Sequence, residues 1–228
     1  MVAAADPKNH AMLAALARGG YRAFRWRRDQ ASTARSEATP WRVTQPMIDP
    51  AHVDQPPVEP RSLLTPRLSI SPLVAADASE MVAVLKHPAL YRYIGGAPPS
   101  LAELTEHYQH WAIRRSPDGT QVWWNWVVRT LEGTPVGWIQ ATVTDDGRRA
   151  EMAWVTGRAY WGRGFATEAA NAVAAWLLTV GVVEITANIH PGNQASAAVA
   201  RMIGLNPTQA VHDGEQVWQR HAQHHTAP

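Results

Sequence analysis

The sequence predicts a mixed α/β fold, with a mostly antiparallel sheet of about seven strands and four flanking helices. Segments with strand-like and helix-like periodicity follow one another in the order β, α, α, β, β, β, α, β, α, β, β. Short turns around Gly133 and Gly214 each separate two strand-like segments, as in antiparallel hairpins. A turn with two glycines joins the strand at 151–156 to a long Ala-rich helix, which indicates a strand–turn–helix unit at the centre of the domain.

The overall composition indicates a globular protein and excludes several classes of site. The chain has 228 residues, of which 46% are apolar and 18% are charged, and it contains no cysteine. Disulfides, thiol nucleophiles and cysteine zinc sites are therefore excluded, which favours a cytoplasmic location. The net charge of +2 gives no indication of DNA binding. We expect no transmembrane segment, no secretory signal and no metal site, because the histidines at 221–225 lack a carboxylate at a suitable spacing.

The first 62 residues differ in amino-acid composition from the rest of the chain and are predicted to form a weakly ordered extension. The stretch 38–60 contains six prolines, a density that is incompatible with continuous helix or sheet. Residues 18–28 combine five arginines with three aromatic residues, a pattern suited to weak contact with RNA or an anionic membrane. A solvated extension is the favoured alternative, because acidic residues follow at once. We therefore divide the chain into an extension (1–62), a folded domain (63–222) and a tail (223–228).

The first half of the domain is predicted to contain one strand and two helices. Residues 67–73 alternate between apolar and polar, and residues 75–86 have helical spacing. Ser100 and Glu103 form a capping-box pattern that opens a second helix, expected to run to about residue 114. The connection at 91–99 is rich in glycine and aromatic residues. Its tyrosines, Tyr91 and Tyr93, either contact a ligand or anchor the loop.

Two strands at 121–130 and 135–144 are predicted to form a hairpin whose faces are both covered. Aromatic stripes of this kind are usually part of a core. A second interpretation is that Trp123, Asn125 and Trp138 line a pocket for an acceptor substrate.

The glycine-containing loop, residues 160–169, has the sequence Tyr-Trp-Gly-Arg-Gly-Phe-Ala-Thr-Glu-Ala. Free N–H groups at a helix start attract anions, and glycine lets phosphate oxygens approach the backbone closely. The loop therefore predicts an anion site, to which Arg163 adds a fixed positive charge. A tight turn without a ligand is the alternative, because a Gly-x-Gly pattern is weak on its own.

The last part of the domain is predicted to contain a strand at 183–190, a helix at 197–203 and a final hairpin. Asn193 and Ser196 are placed to cap the start of that helix, and Gly204 is placed to end it. A dinucleotide-binding fold is not supported, because Thr167 stands where its third glycine belongs. The Gly-Lys-Ser/Thr of a Walker loop is also absent from the sequence.

Taken together, these motifs resemble the GNAT superfamily of acyl-CoA-dependent N-acetyltransferases, and in particular its RimJ/RimL-type branch. The resemblance covers about residues 64–218. The central motif of the family, Gln/Arg-x-x-Gly-x-Gly/Ala, is matched by residues 161–166, with Trp161 departing from the pattern at the first position. Four other segments match in the same order along the chain: 64–68 leading into 77–78, 93–96, 167–169, and 193–196 with 204–205.

The resemblance implies a GNAT fold, with acetyl-CoA as co-substrate in a V-shaped splay between two central strands. It implies that the coenzyme A pyrophosphate lies on the glycine-containing loop and that the pantetheine arm bonds to the backbone of residues 154–156. It also implies that the Val155 N–H faces the thioester carbonyl. The candidate coenzyme A residues are Trp154, Val155, Thr156, Trp161, Gly162, Arg163, Gly164, Phe165, Ala166 and Asn193.

Transfer by direct attack in a ternary complex requires a base, because a Lys-like amine starts protonated, with a pKa near 10.4. Glu151 and His190 are the candidate bases. Many superfamily members have a tyrosine seven residues after the asparagine that corresponds to Asn193, and this tyrosine acts as the general acid for the leaving thiolate. Here Ala200 occupies that position. The general acid is therefore Ser196, a water molecule or no group at all.

The leading functional hypothesis is acetylation of a small-molecule primary amine. Acetylation of a protein N-terminus, on a peptide acceptor, is the alternative within the same class. A third hypothesis is a catalytically silent acyl-CoA-binding module that docks through its extension. The sequence is compatible with either a monomer or a homodimer.

Overall fold

The computed structural model of the chain describes residues 58–144 and 147–221, and the described residues from Pro60 onward belong to one compact unit. The hypothesis about residues 18–28, most of the predicted extension and the predicted tail lie outside the described residues. The strands are β1 (Leu63–Leu64), β2 (Leu68–Pro72), β3 (Val122–Thr130), β4 (Pro135–Thr144), β5 (Arg149–Thr156), β6 (Glu184–Ile189), β7 (Asn206–His212) and β8 (Glu215–His221). The helices are α1 (Ala78–Leu85), α2 (Leu101–Trp111), α3 (Phe165–Thr179) and α4 (Gln194–Met202).

The eight strands form a single sheet in the order β1-β2-β3-β4-β5-β6-β8-β7. Every neighbouring pair is antiparallel except β5 and β6, which run parallel. The predicted fold class is therefore confirmed. The additional strand is β1, whose two residues are too few to show a strand period.

The sheet opens at its centre, between β5 and β6. These two strands pair only where residues 149–151 face residues 184–186. Beyond Glu151, β5 continues to Thr156 and β6 continues to Ile189 without further pairing between them. The result is the expected V-shaped opening, which leaves one edge of β5 available to a ligand.

Each face of the sheet is covered by its own pair of helices. On one face, α3 and α4 pack against a core in which Trp176 lies against Trp124 and Trp126, with ring centroids 5.0 and 5.4 Å apart. On the other face, α1 and α2 enclose a second core that includes Tyr108 and Trp138. The V-shaped opening lies between β5, which contributes side chains to both cores, and β6, whose buried apolar side chains belong to the first core.

The local signals in the sequence explain most of the helix boundaries. The predicted capping box is present: the Glu103 N–H donates to Ser100 Oγ, and the Ser100 N–H donates to Glu103 Oε2. The first helix is shorter than predicted, because residues 75–77 form a 3₁₀ turn and the helix ends before Pro88. Asn193 caps α4 by accepting the Ser196 N–H at 3.2 Å.

Candidate active site

The glycine-containing loop leads from a short 3₁₀ turn, Arg158–Tyr160, into the first turn of α3. Gly162 and Gly164 both have positive φ, +74° and +76°, which other residues adopt only with strain. No side chain caps the start of α3 at Gly164, so its first N–H groups are available to an outside acceptor. A Cβ on Gly162 would point into open space. Arg163 lies beside the loop with its guanidinium 5.7 Å from the Tyr160 ring centroid.

The direction of the backbone groups of β5 is fixed by hydrogen bonds at its two ends. At one end, the Gly157 N–H donates to the Val136 carbonyl on the β4 side, at 2.8 Å. At the other end, the Glu184 N–H donates to the Arg148 carbonyl on the β6 side, at 3.2 Å. Backbone groups alternate in direction along a strand. Even-numbered residues of β5 therefore face the opening, and odd-numbered residues face β4.

This alternation corrects one expectation. Trp154 and Thr156 present their N–H and C=O groups to the opening, whereas the Val155 N–H is directed toward β4 and away from the opening. The close approach of the Val155 carbonyl to Gly137 on β4, where a Cβ would lie 2.1 Å from that oxygen, agrees with this direction. Within the opening, the Trp154 N–H is thus the better placed of the two groups to donate to a carbonyl oxygen. The Thr156 carbonyl already accepts the Trp161 indole N–H at 2.7 Å.

Arg67 ties the start of β2 to the glycine-containing loop. Its Nε donates to Glu168 Oε2 at 2.6 Å, its backbone N–H donates to Oε1 at 3.0 Å, and its Nη1 donates to the Arg163 carbonyl at 2.9 Å. Thr65 adds a hydrogen bond to Glu168 Oε1 at 2.7 Å. Burial alone would raise the pKa of Glu168, but the hydrogen bonds from Thr65 and Arg67 and the Arg67 charge lower it below its usual value. These contacts of Arg67 with Glu168 and with the Arg163 carbonyl form a clamp. The clamp holds the loop at Arg163, between its two glycines.

Replacing Arg67 by Lys is expected to raise the KM for acetyl-CoA about threefold to tenfold, a loss of ~0.7–1.4 kcal/mol, while kcat changes little. Lysine keeps the charge but replaces the rigid fork of guanidinium donors by a single ammonium group, so it cannot reproduce the geometry of the contacts with Glu168 and the Arg163 carbonyl. Steady-state kinetics with varied acetyl-CoA measure the effect. Arg149→Lys is the matched control, since it alters another arginine–carboxylate pair, with Glu184, at the other end of β5. An unchanged KM in the Arg67 variant would show that the clamp does not shape the loop.

Glu151 lies where the V-shaped opening closes, and its side chain lines the cleft between β5 and β6. Burial raises the pKa of Glu151 to about 7; the nearby charge of Glu215 adds to the rise, and the hydrogen bond from Asn188 opposes it. Asn188 Nδ2 donates to Glu151 Oε1 at 3.1 Å, which holds the carboxylate in place. A carboxyl group with a pKa near neutrality is suited to accept a proton from an amine.

His190 and Ser196 also line this cleft, on the opposite wall from Glu151. His190 Nδ1 accepts the Gly192 N–H at 3.0 Å, so a neutral His190 ring carries its proton on Nε2. That tautomer presents an N–H hydrogen-bond donor at Nε2 instead of the free electron pair that a base requires. Ala200 is fully buried in the core and is not among the described residues that line the cleft.

Two of the five predicted acceptor residues, Tyr93 and Trp138, line the cleft. Tyr91, Trp123 and Asn125 are not among the described side chains that line it, and all three are buried. The Tyr91 hydroxyl donates to the Leu85 carbonyl at 2.8 Å, which makes it an anchor of the 91–99 connection. The Trp123 indole donates to Gln121 at 3.1 Å. Asn125 lies one strand farther from the opening, opposite Gln140.

Several polar residues of the cleft carry no signal in the sequence. Asn188, Glu215 and Gln140 line it together with Glu151, yet they come from four different strands. Their meeting depends on the pairing of β6 with β8 and of β4 with β5, which no local pattern reveals. Arg67 was noted only as part of a matching segment, and its contact with the loop spans 96 residues of sequence.

The family model for the acetyltransferase (GNAT) domain matches residues 67–206, which is more than half of the chain. The chain belongs to the GNAT acetyltransferase family. The expected resemblance and the expected class of enzyme, an N-acetyltransferase, are thereby confirmed. Acetyl-CoA is the acyl donor of this family, in agreement with the predicted co-substrate.

Solved structures with the same fold are distant in sequence from this acetyltransferase. A GNAT-family acetyltransferase from Bacillus anthracis aligns with a TM-score of 0.58 at 19% identity and covers 70% of this chain and 98% of its own. RimL, a ribosomal L7/L12 alpha-N-protein acetyltransferase in complex with coenzyme A, gives 0.59 at 16% identity, with 69% and 95% covered. The aminoglycoside acetyltransferase AAC(6')-Ib in complex with coenzyme A gives 0.56 at 18% identity, with 68% and 94% covered. A search of curated proteins found no match.

The residues of this acetyltransferase suit coenzyme A. The uncapped start of α3, the two positive-φ glycines and Arg163 offer N–H groups and a positive charge to a pyrophosphate. The unpaired edge of β5 offers backbone partners to an extended, amide-containing arm.

In the described part of the chain, no helix has both the length and the apolar character needed to cross a membrane.

Proposed function

We propose that this acetyltransferase transfers the acetyl group of acetyl-CoA to a small primary amine, with Glu151 as the general base. The observation that carries the proposal is the Glu151 carboxyl group, which is held by Asn188 at the closed end of the V-shaped opening. Its pKa of about 7 leaves a substantial ionised fraction at neutral pH while keeping its affinity for a proton high.

The loop at 161–166 supports the donor site. The N–H groups of Phe165 and Ala166 at the start of α3, together with Arg163, would hold the pyrophosphate. Trp154 and Thr156 would bond to the pantetheine arm, and Asn193 lies farther along the same cleft. We assign the hydrogen bond to the thioester oxygen to the Trp154 N–H, and not to the Val155 N–H. One such donor typically lowers the activation free energy by about 3 kcal/mol.

The residues of the cleft account for the protons of the reaction. Glu151 takes one proton from the ammonium, directly or through water, so that the nitrogen has a free electron pair. As the bond between nitrogen and the acetyl carbon forms, the carbon–sulfur bond breaks and its electron pair leaves with sulfur. The second proton lost by nitrogen passes to the thiolate, through Ser196, through a water molecule or without a dedicated acid.

A small acceptor is favoured over a protein N-terminus by the way the 91–99 connection lies on the cleft. Tyr93 lies against His190 with ring centroids 5.2 Å apart and the ring planes tilted by 33°, and a Cβ on Gly192 would lie 3.0 Å from the Tyr93 ring. The connection between α1 and α2 thus packs against the end of β6 and covers part of the acceptor side. Trp138 and Tyr93 provide apolar surface for the carbon chain of an amine.

Release of free thiol from acetyl-CoA tests the proposal with three groups of acceptors: monoamines, diamines and peptides with a free N-terminus. Faster turnover of small amines than of peptides would support the proposal. Faster turnover of the peptides would instead identify a protein N-terminal acetyltransferase. Tight binding of coenzyme A without turnover of any acceptor would identify a silent binding module.

A further inference from the structure

We infer that the acceptor carries a second positive charge and that Glu215 binds it, so that the preferred substrates are linear diamines or polyamines. The inference rests on the proposed function, because it assigns the substrate class of the same cleft. It begins from Glu215, the first residue of β8, whose side chain lines the cleft opposite Glu151.

The register of the sheet places the two carboxylates on one face. Glu151 is paired with Thr186 on β6, and Asn188 is two residues farther along the same strand, so these side chains share a face. Asn188 is paired with Val217 on β8, and Glu215 lies two residues from Val217. Because side chains alternate with a period of two, Glu215 is on the face of Glu151.

The charge of the cleft is one-sided. Among the described side chains that line it, Glu151 and Glu215 are the carboxylates, and none belongs to lysine or arginine. The negative charge of Glu215 acts electrostatically on Glu151 and contributes to the raised pKa of the Glu151 carboxyl group. A positively charged acceptor in the cleft would be stabilised by these negative charges, whereas an anionic acceptor would be repelled.

The spacing favours a second ammonium over a single one. The two glutamates lie two strands apart and about four residues apart along the strand direction, which places their Cα atoms roughly 16 Å apart. Each side chain extends a few ångströms into the cleft, and Glu151 leans toward the open end to reach Asn188. Two ammonium groups, one beside each carboxylate, would neutralise both negative charges, whereas a single ammonium would neutralise one of them. A linear chain with an amine at each end would supply both of these ammonium groups.

The test compares 1,5-diaminopentane with pentylamine, at pH 8, on the full chain and on its Glu215→Gln variant. We expect the unaltered protein to prefer the diamine in kcat/KM, and we expect the variant to reduce this preference about tenfold, mainly through the KM for the diamine. Glu106→Gln, an equal change on an exposed site of α2, should keep the preference. An equal loss for both amines, or a preference for pentylamine in the unaltered protein, would overturn the inference.

Calorimetric titration of both amines into the protein saturated with coenzyme A separates this inference from the proposed function. Tighter binding of the diamine that is lost in Glu215→Gln supports the second-charge site even if no acetyl transfer is detected, in which case only the proposed function fails. Equal binding of the two amines overturns the inference even if both are acetylated.

Discussion

The Glu151→Gln variant is expected to bind acetyl-CoA as the unaltered protein does and to lose about 10²- to 10⁴-fold in kcat, the range typical of a positioned general base. The amide is close in size to the carboxylate and can still contact Asn188, so the wall of the cleft should be preserved. It cannot accept a proton from the acceptor ammonium. Thiol release measured at saturating amine and acetyl-CoA gives kcat, and calorimetry with coenzyme A gives the affinity.

The pH profile of the unaltered protein provides a second readout of Glu151. Because the base must be ionised and its pKa is raised to about 7, kcat should rise as the pH increases through 7 and then level off. Two acceptors whose amines differ in pKa distinguish the titration of Glu151 from that of the substrate. If the rise in kcat reflects Glu151, it occurs at the same pH with both acceptors. Glu106→Gln on α2 is the matched control. A Glu151 variant with normal kcat would exclude the residue as the base.

The Gly164→Val variant is expected to lose most of its affinity for coenzyme A, at least about tenfold or ~1.4 kcal/mol, while remaining folded. Gly164 has φ of +76°, a conformation that costs other residues about 1–2 kcal/mol, and a Cβ there would lie 3.4 Å from Arg67 Nη2. The added side chain would both displace the clamp and stand where phosphate oxygens approach the backbone. Calorimetry with coenzyme A measures the affinity.

Gly181→Val is the matched control for backbone strain. Gly181 follows the other end of α3, has φ of +97°, and a Cβ there meets nothing within 4 Å. Both variants should therefore lower Tm by a few degrees, as a strain of this size does in a domain of this length. Only Gly164→Val should lose coenzyme A binding. Equal affinities in the two variants would refute the assignment of the loop to the pyrophosphate.

Much of the fold and of the donor site could be predicted because the signals are local. The Ser100–Glu103 capping box, the Asn193 cap and the glycines of the loop each act within a few residues of their own position. The hairpins could be predicted for the same reason. Glu151 could be proposed as a base because it opens the strand that leads directly into the loop.

The acceptor side could be predicted only in part, because it depends on distant pairings. The direction of the Val155 N–H changes with a shift of one residue in the register between β4 and β5, and no local pattern fixes that register. Glu215 reaches the cleft only because β8 pairs with β6. Tyr91 was a reasonable candidate beside Tyr93, but its hydroxyl is used by the Leu85 carbonyl within the protein.

The contact of Trp176 with Trp124 and Trp126 has an optical consequence. The Trp176 ring centroid lies 5.0 Å from that of Trp124 and 5.4 Å from that of Trp126, at interplanar angles of 63° and 79°. Indole transitions at such distances and angles couple, which gives a strong near-ultraviolet circular dichroism signal. Because Trp176 belongs to α3 and the other two belong to β3, the part of the signal that comes from these three residues depends on the docking of α3 on the sheet. It thus offers a label-free way to follow the helix that begins at the coenzyme A loop.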